Sequence, residues 1–215
     1  MEISDLYSKT NNPAKFQKKD YTFYTHKENI GSINITSGKI VACDPFLISQ
    51  HDVPFHQEVP IGEYSVSIVI VKHKTDERIT AAIINFSNLV PENWVLATRG
   101  KQKLSELKEG KIYGYPVDSG TGCFLDFESA QLLDKRFMDD DNFFDILNDV
   151  YNKNYAPTRS WVIYKIDSTE DLNAAMFSTG YGDGLYPSYW GYANDNSVVC
   201  LITDFGIIGN AEFIE

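Results

Sequence analysis

Two glycine-rich stretches carry the residues best suited to chemistry. "PVDSGTG" (116–122) sets Asp118 and Ser119 among glycines with Cys123 directly after, and "GYGDGLYPSYWGY" (180–192) sets Asp183 between Gly182 and Gly184 ahead of a run of rings. Gly180, Gly182 and Gly184 can take positive φ, and an Asp in such a turn either collects neighbouring amides or faces a ligand. Two turn-borne carboxylates in one cleft can divide acid and base roles, assisted by Ser119, Cys123 or a tyrosine, as in a hydrolase. Asp118, Ser119, Cys123 and Asp183 are therefore the candidate catalytic residues. The second stretch also fits recognition, with Tyr181, Asp183, Tyr186, Tyr189, Trp190 and Tyr192 as candidate binding residues. Exposed rings anchor a protein partner or stack on a glycan or small ligand. In an extended segment Tyr189 and Trp190 face opposite ways, so one can fill a core while the other reaches a surface or cleft.

Other chemistries find weaker footing. Cys43, Asp44, His51 and His56 are suitable metal ligands close in sequence, but "HDVPFH" contains a proline and cannot set both imidazoles on one helical face. Asp134, Asp139, Asp140, Asp141 and Asp145 lack the Asp-x-Asp-x-Asp-Gly order of a calcium loop. No metal site is expected. Neither phosphate-cradling glycine motif occurs at a strand-to-helix turn, and Ser119 is in no Gly-x-Ser-x-Gly elbow, so no cofactor is expected.

The elements that must position these residues read as β-rich. Aromatics make up 13% of the 215 residues, and rings suit a pleated, half-buried surface. Residues 1–30 read as an extended N-terminal arm with one strand at "YTFYTH"; residues 31–215 read as a single α+β domain. Two short strands flank a Ser37-Gly38 turn, and "FLISQHDVPFHQEVPIG" is a loop with three breakers. "EYSVSIVIVKHK" and "ITAAIINFS", joined by "TDER", predict an antiparallel hairpin. "NWVLAT", "SWVIYKID", "NAAMFSTG", "PSYWGYA" and "SVVCLITDFG" are further strands. Helical spacing occurs in "FESAQLLDKRFM" and "DNFFDILNDVYNKN", with Asp139–Asp141 between them able to cap the second helix. The βαβα alternation of a parallel sheet is absent. The expected fold is mainly antiparallel sheet, sandwich-like or strongly curved, with two helices inserted around 127–154.

The bulk numbers narrow the partners. Thirty acidic against 19 basic residues give a net charge of −11, which repels phosphate backbones and can steer a basic protein. No basic stripe with interleaved aromatics occurs, so no nucleic acid is expected. Nor does any apolar run approach the roughly 18 residues that span a bilayer, so no membrane is expected. "MEISDLYSKTNN" has no apolar leader, and three distant cysteines suit reduced thiols; together they read as cytoplasmic.

Resemblances come last. "PVDSGTG" resembles the Asp-Ser-Gly-Thr loop of aspartic proteases, and "FGIIG" resembles the element that supports that loop, but one such motif needs a second lobe or a homodimer. More extensively, "GKIVACDP", "GYPVDSGTGCFLD", "STGYGDGLYPSYWGY" and "VCLITDFG", in that order, resemble the signature blocks of a bacterial family called domain of unknown function 4241. The resemblance runs from about Gly38 to Gly206, with "VPIG" where the family carries "VPPG". It implies a compact, bacterial, cytoplasmic domain and assigns no catalytic residue; small acidic domains of this kind often sit beside secreted toxins as immunity proteins. The leading expectation is a non-catalytic cytoplasmic binding protein, an immunity-type inhibitor of a basic toxin domain. The alternatives are a hydrolase with Asp118 and Asp183 in one cleft, and a glycan or small-ligand binder using the 186–192 aromatics. Oligomeric state is left open.

Overall fold

Alternation with period two builds most of the molecule. In the strand Gly62–His73, Val66, Ile68 and Ile70 enter one buried cluster while Val69 and Val71 enter another, so the run is apolar because both faces are covered. The computed structural model describes residues 2–10, 13–156, 158–167, 169–209 and 212–214. In chain order the elements are α1 (Ile3–Lys9), β1 (Ala14–Lys18), β2 (Tyr21–Ile35), β3 (Ile40–Cys43), β4 (Gly62–His73), β5 (Asp76–Asn85) and β6 (Asn93–Leu96). A 3-10 turn at Leu104–Glu106 precedes β7 (Tyr115–Val117), β8 (Thr121–Asp126), α2 (Phe127–Asp139) and α3 (Phe143–Asn152). The rest is β9 (Trp161–Asp167), β10 (Leu172–Ser178), β11 (Gly184–Tyr186), β12 (Ser188–Tyr192), β13 (Val198–Asp204) and β14 (Glu212–Ile214).

The strands form an eight-stranded sheet in the order β14-β1-β2-β4-β5-β13-β12-β6, a four-stranded sheet β3-β8-β10-β9, and a ribbon β11-β7. Every ladder among the described residues is antiparallel, and the large sheet curls into a half-barrel. This is the expected α+β architecture, with its two helices at 127–139 and 143–152.

Three buried clusters stack in layers. Ile33, Ile68, Ile84, Phe124, Phe177, Trp190 and Leu201 fill the space between the two sheets. On the far side of the small sheet, Cys43, Cys123, Leu125 and Met176 meet Leu133 of α2 and Leu147 of α3. Outside the large sheet, Phe16, Val69, Ile83 and Ile202 are covered by Leu6 of α1 and by Ile207 and Ile208.

Several local expectations need correcting. Residues 1–30, read as an arm, do contain the extended "YTFYTH" segment, but β1 and β2 are integral strands of the large sheet and Phe16 is fully buried; residues 1, 11 and 12 lie outside the described ones. The Ser37-Gly38 turn does lie between two strands, and because β2 pairs with β4 and β3 with β8 the chain crosses there between sheets. Asp126, not the acid run, caps a helix by side chain, accepting from the Glu128 amide; Asp140 accepts from the Asn142 amide at 2.9 Å and so closes the turn before α3.

Candidate functional site

The two glycine-rich stretches meet. Their ribbon pairs Tyr186 with Tyr115, Leu185 with Pro116 and Gly184 with Val117. Asp183 and Asp118 adjoin that last pair, so both residues lie at the same end of the ribbon. Both residues are exposed. Behind them the loops touch: the Thr179 amide donates to Gly120 O at 3.1 Å, and a Cβ on Gly120 would lie 3.5 Å from Gly182 Cα.

The acid that organises "PVDSGTG" lies elsewhere in sequence. Asp44, 5% exposed at the end of β3, accepts from the Asp118 and Ser119 amides (3.0 and 2.7 Å), the Ser119 hydroxyl (2.7 Å) and the Phe46 amide (3.0 Å). Four donors converging on one buried carboxylate fix the loop and leave Asp118 pointing at solvent. Ser119 is thus engaged as a donor to Asp44. Cys123 lies in mid-strand, fully buried, its Sγ 3.5 Å from Cys43 Sγ, so neither thiol is open to a substrate. Hydrogen bonding to Cys123 and burial push the Cys43 thiol well up.

The other turn is closed by rings from within. Gly180 and Gly182 take positive φ (59° and 113°), whereas Gly184 does not. The Tyr186 hydroxyl donates to Gly182 O at 2.6 Å, and the Tyr186 ring lies edge-on to Phe205 with centroids 5.0 Å apart. Burial raises the Tyr186 pKa. Trp190 is 2% exposed, in edge contact with Phe55, while Tyr189 packs half-buried on the opposite face, as alternation requires. Tyr192 is half-buried, its hydroxyl donating to Gln57 Oε1 at 3.0 Å. Of the six binding candidates, only Tyr181 and Asp183 are exposed. The Tyr181 ring instead supports Arg78, whose guanidinium carbon lies 5.2 Å from the ring centroid.

The candidate ligands around 43–56 are dispersed into structural duties. His56 bonds Thr98 Oγ1 and Gly100 O through its two ring nitrogens, both at 2.9 Å, and His51 is exposed. Among the described residues no group of three or more His, Cys, Asp or Glu side chains is placed to hold a metal ion. "FGIIG" packs against Gly180 of the second turn, where a Cβ would lie 3.1 Å from Phe205 Cβ, and not behind Asp118 as a protease loop support would. No helix among the described residues is long and apolar enough to cross a membrane.

Sequence reasoning missed two contributors. In sequence Asp44 reads as a metal ligand and, in "CDP", as a strand stop, and neither points to the amides of residues 118 and 119. Arg78 sits inside the predicted hairpin and gains its role only where β5 passes the Tyr181 turn.

No solved structure matches the chain. Over 100 residues it is 31% identical to the Lamassu protein LmuA of Bacillus cereus (strain VD014), an overlap of 41% of this chain and 28% of LmuA. The chain thus covers little more than a quarter of that relative's length. A family model matches residues 33–203, a span that takes in both glycine-rich turns, the Asp44 anchor and the whole of the small sheet. The chain belongs to the family described as protein of unknown function (DUF4241).

Proposed function

We propose that this protein is a non-catalytic binding module that docks a basic protein partner on the surface formed by Tyr181, Asp183, Leu185 and Asp118. The observation that carries this reading is the ribbon end, where Tyr181 (68% exposed) and Leu185 (52% exposed) flank two solvent-facing carboxylates on rigidly anchored turns. A large ring held in place without its own core duty is the usual anchor of an interface, and flanking acids set partner choice and association rate. The excess of acidic residues supports a basic partner at longer range. An immunity-type inhibitor of a basic toxin is the biological form that this chemistry suits, acting in the cytoplasm. Similarity to a fraction of LmuA supports a module that works beside other proteins or domains.

Co-expression with the products of neighbouring genes tests the reading. A basic product should co-purify, with an affinity that falls as salt rises and drops at least about tenfold in the Tyr181→Ala/Asp118→Lys/Asp183→Lys variant. A folded variant that binds equally well refutes it.

One observation favours a second reading, a carboxylate-pair hydrolase: Asp118 and Asp183 adjoin Val117 and Gly184, the last pair of the ribbon. Hydrolysis of a substrate panel that disappears in both Asp118→Asn and Asp183→Asn would replace the binding reading with this one.

A further inference from the structure

A separate cleft opens on the other side of the Tyr181 turn, with a volume of about 250 Å³. Its floor is apolar, made by the buried side chains of Val71 and Ile207. One wall is aromatic: His73 stands with its ring centroid 5.1 Å from Tyr21 and 5.3 Å from Phe23. Tyr181 also lines the cleft, with the Arg78 guanidinium on one face of its ring. These residues come from β2, the β4–β5 hairpin, the 179–183 turn and the segment after β13, so the cleft exists only in the folded chain.

The rim supplies both kinds of hydrogen-bonding group. His73 Nδ1 lies 2.9 Å from Thr22 O, which can only accept, so Nδ1 carries the proton and Nε2 is the acceptor of the neutral ring. Arg78 is a donor and Asp76 an acceptor, and they are paired with Nε 3.0 Å from Oδ1. That pairing balances the charge of the cleft, and an anion at Arg78 would lie beside the Asp76 carboxylate in a chain of net charge −11. Size narrows the choice further. At about 250 Å³ the cleft falls below the roughly 300–1,000 Å³ of drug-sized sites. It therefore suits one ring system and not an oligosaccharide.

We propose that this cleft binds a single uncharged planar nitrogen heteroaromatic, of purine or indole size, packed against the rings of Tyr21, Phe23, His73 and Tyr181 that line it. Its apolar faces meet rings, and its N–H and ring-nitrogen edges meet Asp76 or His73 and Arg78. The site is distinct from the docking surface proposed above, sharing only Tyr181.

Adenine and indole are the probes, titrated into the full chain by isothermal calorimetry and saturation-transfer NMR, with AMP and a short tryptophan peptide as contrasts. At least one of the free rings should bind saturably, and AMP should bind more weakly than adenine. Tyr181→Ala and Tyr21→Ala, both at exposed positions and so expected to leave folding intact, should each weaken binding about fivefold or more, the effect of losing one stacking ring. Leu185→Ala, which belongs to the docking surface alone, should leave it unchanged. Absence of saturable binding by either ring at millimolar concentration overturns the proposal, as does binding indifferent to both ring deletions. AMP binding tighter than adenine overturns the requirement for an uncharged ligand. A tryptophan peptide binding tighter than indole overturns the free heteroaromatic and gives the cleft to a partner's side chain. Failure of the free rings to bind leaves the docking surface standing, because that surface is tested separately by co-purification and by the Asp118 and Asp183 substitutions, which do not line this cleft.

Discussion

Removing the Asp44 carboxylate should loosen the candidate site more than any change to the acids exposed on it. Asp44 holds four donors, of which the Phe46 amide belongs to a buried residue and the other three lie on the more open Asp118–Ser119 turn. Hydrogen bonds to a charged group contribute about 1.5–3 kcal/mol each, and an abandoned buried donor costs about 1–3 kcal/mol, while water can reach the turn and recover part of the loss. Asp44→Ala should therefore destabilise the protein by about 2–4 kcal/mol. Asp44→Asn should be milder, about 1–2 kcal/mol by the same values. Its amide oxygen can keep the two turn amides, and the Ser119 hydroxyl can reverse to accept, but the amide NH₂ then faces the Phe46 N–H. Urea denaturation reads the difference directly. In a thermal melt each kcal/mol is worth about 2–4 °C at this size, so Asp44→Ala should lower Tm by roughly 4–16 °C. Amide exchange at Phe46, Asp118 and Ser119 should accelerate in step. An Asp44→Ala protein within about 1 kcal/mol of the parent, with unchanged exchange at those amides, would refute the anchoring role.

Two further outcomes follow from buried titratable groups. Burial raises the Asp204 pKa more than the Gly206 amide lowers it, so the folded state binds a proton that the unfolded state releases first. Stability from this group is complete below the ordinary aspartate value of about 4, and is lost as pH rises through the folded value. Asp204→Asn, which keeps an acceptor for Gly206, should raise stability at pH 7 and have no effect in acid; a loss at pH 7 in urea titrations would contradict it. Cys43, Cys123 and Cys200 are all buried, and burial pushes the Cys200 thiol up to about 12. Ellman's reagent should therefore find no reactive thiol in the native protein and three after denaturation, and rapid native reaction would show that the layers open.

The strands were legible wherever apolar runs were long enough to be covered on both faces. The β4–β5 hairpin is the clear case, because its β-branched runs lie beside a two-residue connection between His73 and Asp76. The helices were legible from Leu133, Phe143 and Leu147, which share the faces turned to the small sheet. The first half of β2 was visible only as a local strand, since its partners Lys72, Val71 and Ile70 lie far along the chain. Helix α1 buries only Leu6 and is too short to announce itself by periodicity. At the site, spacing identified both turns but not which acid was structural. Asp118 and Asp44 are both acids beside turn residues, and only β3–β8 pairing brings one under the other's loop. Ring exposure was equally hidden, because Trp190 is covered as a β12 residue paired on both sides whereas Tyr181 sits in the turn before β11.

The family match covers 33–203, whereas Tyr21, Phe23 and Ile207 lie outside it and Val71, His73, Asp76, Arg78 and Tyr181 lie within. Two rings of the aromatic wall, Tyr21 and Phe23, thus lie outside the matched span, while His73 of that wall and the Arg78–Tyr181 side lie within it. Chains that share the matched segment but differ in the flanking strand would keep the Arg78–Tyr181 side and change those two rings. Because β2 runs continuously from Tyr21 into the matched span, replacing those two outer rings would reshape the cleft while keeping the β2–β4 ladder that carries them.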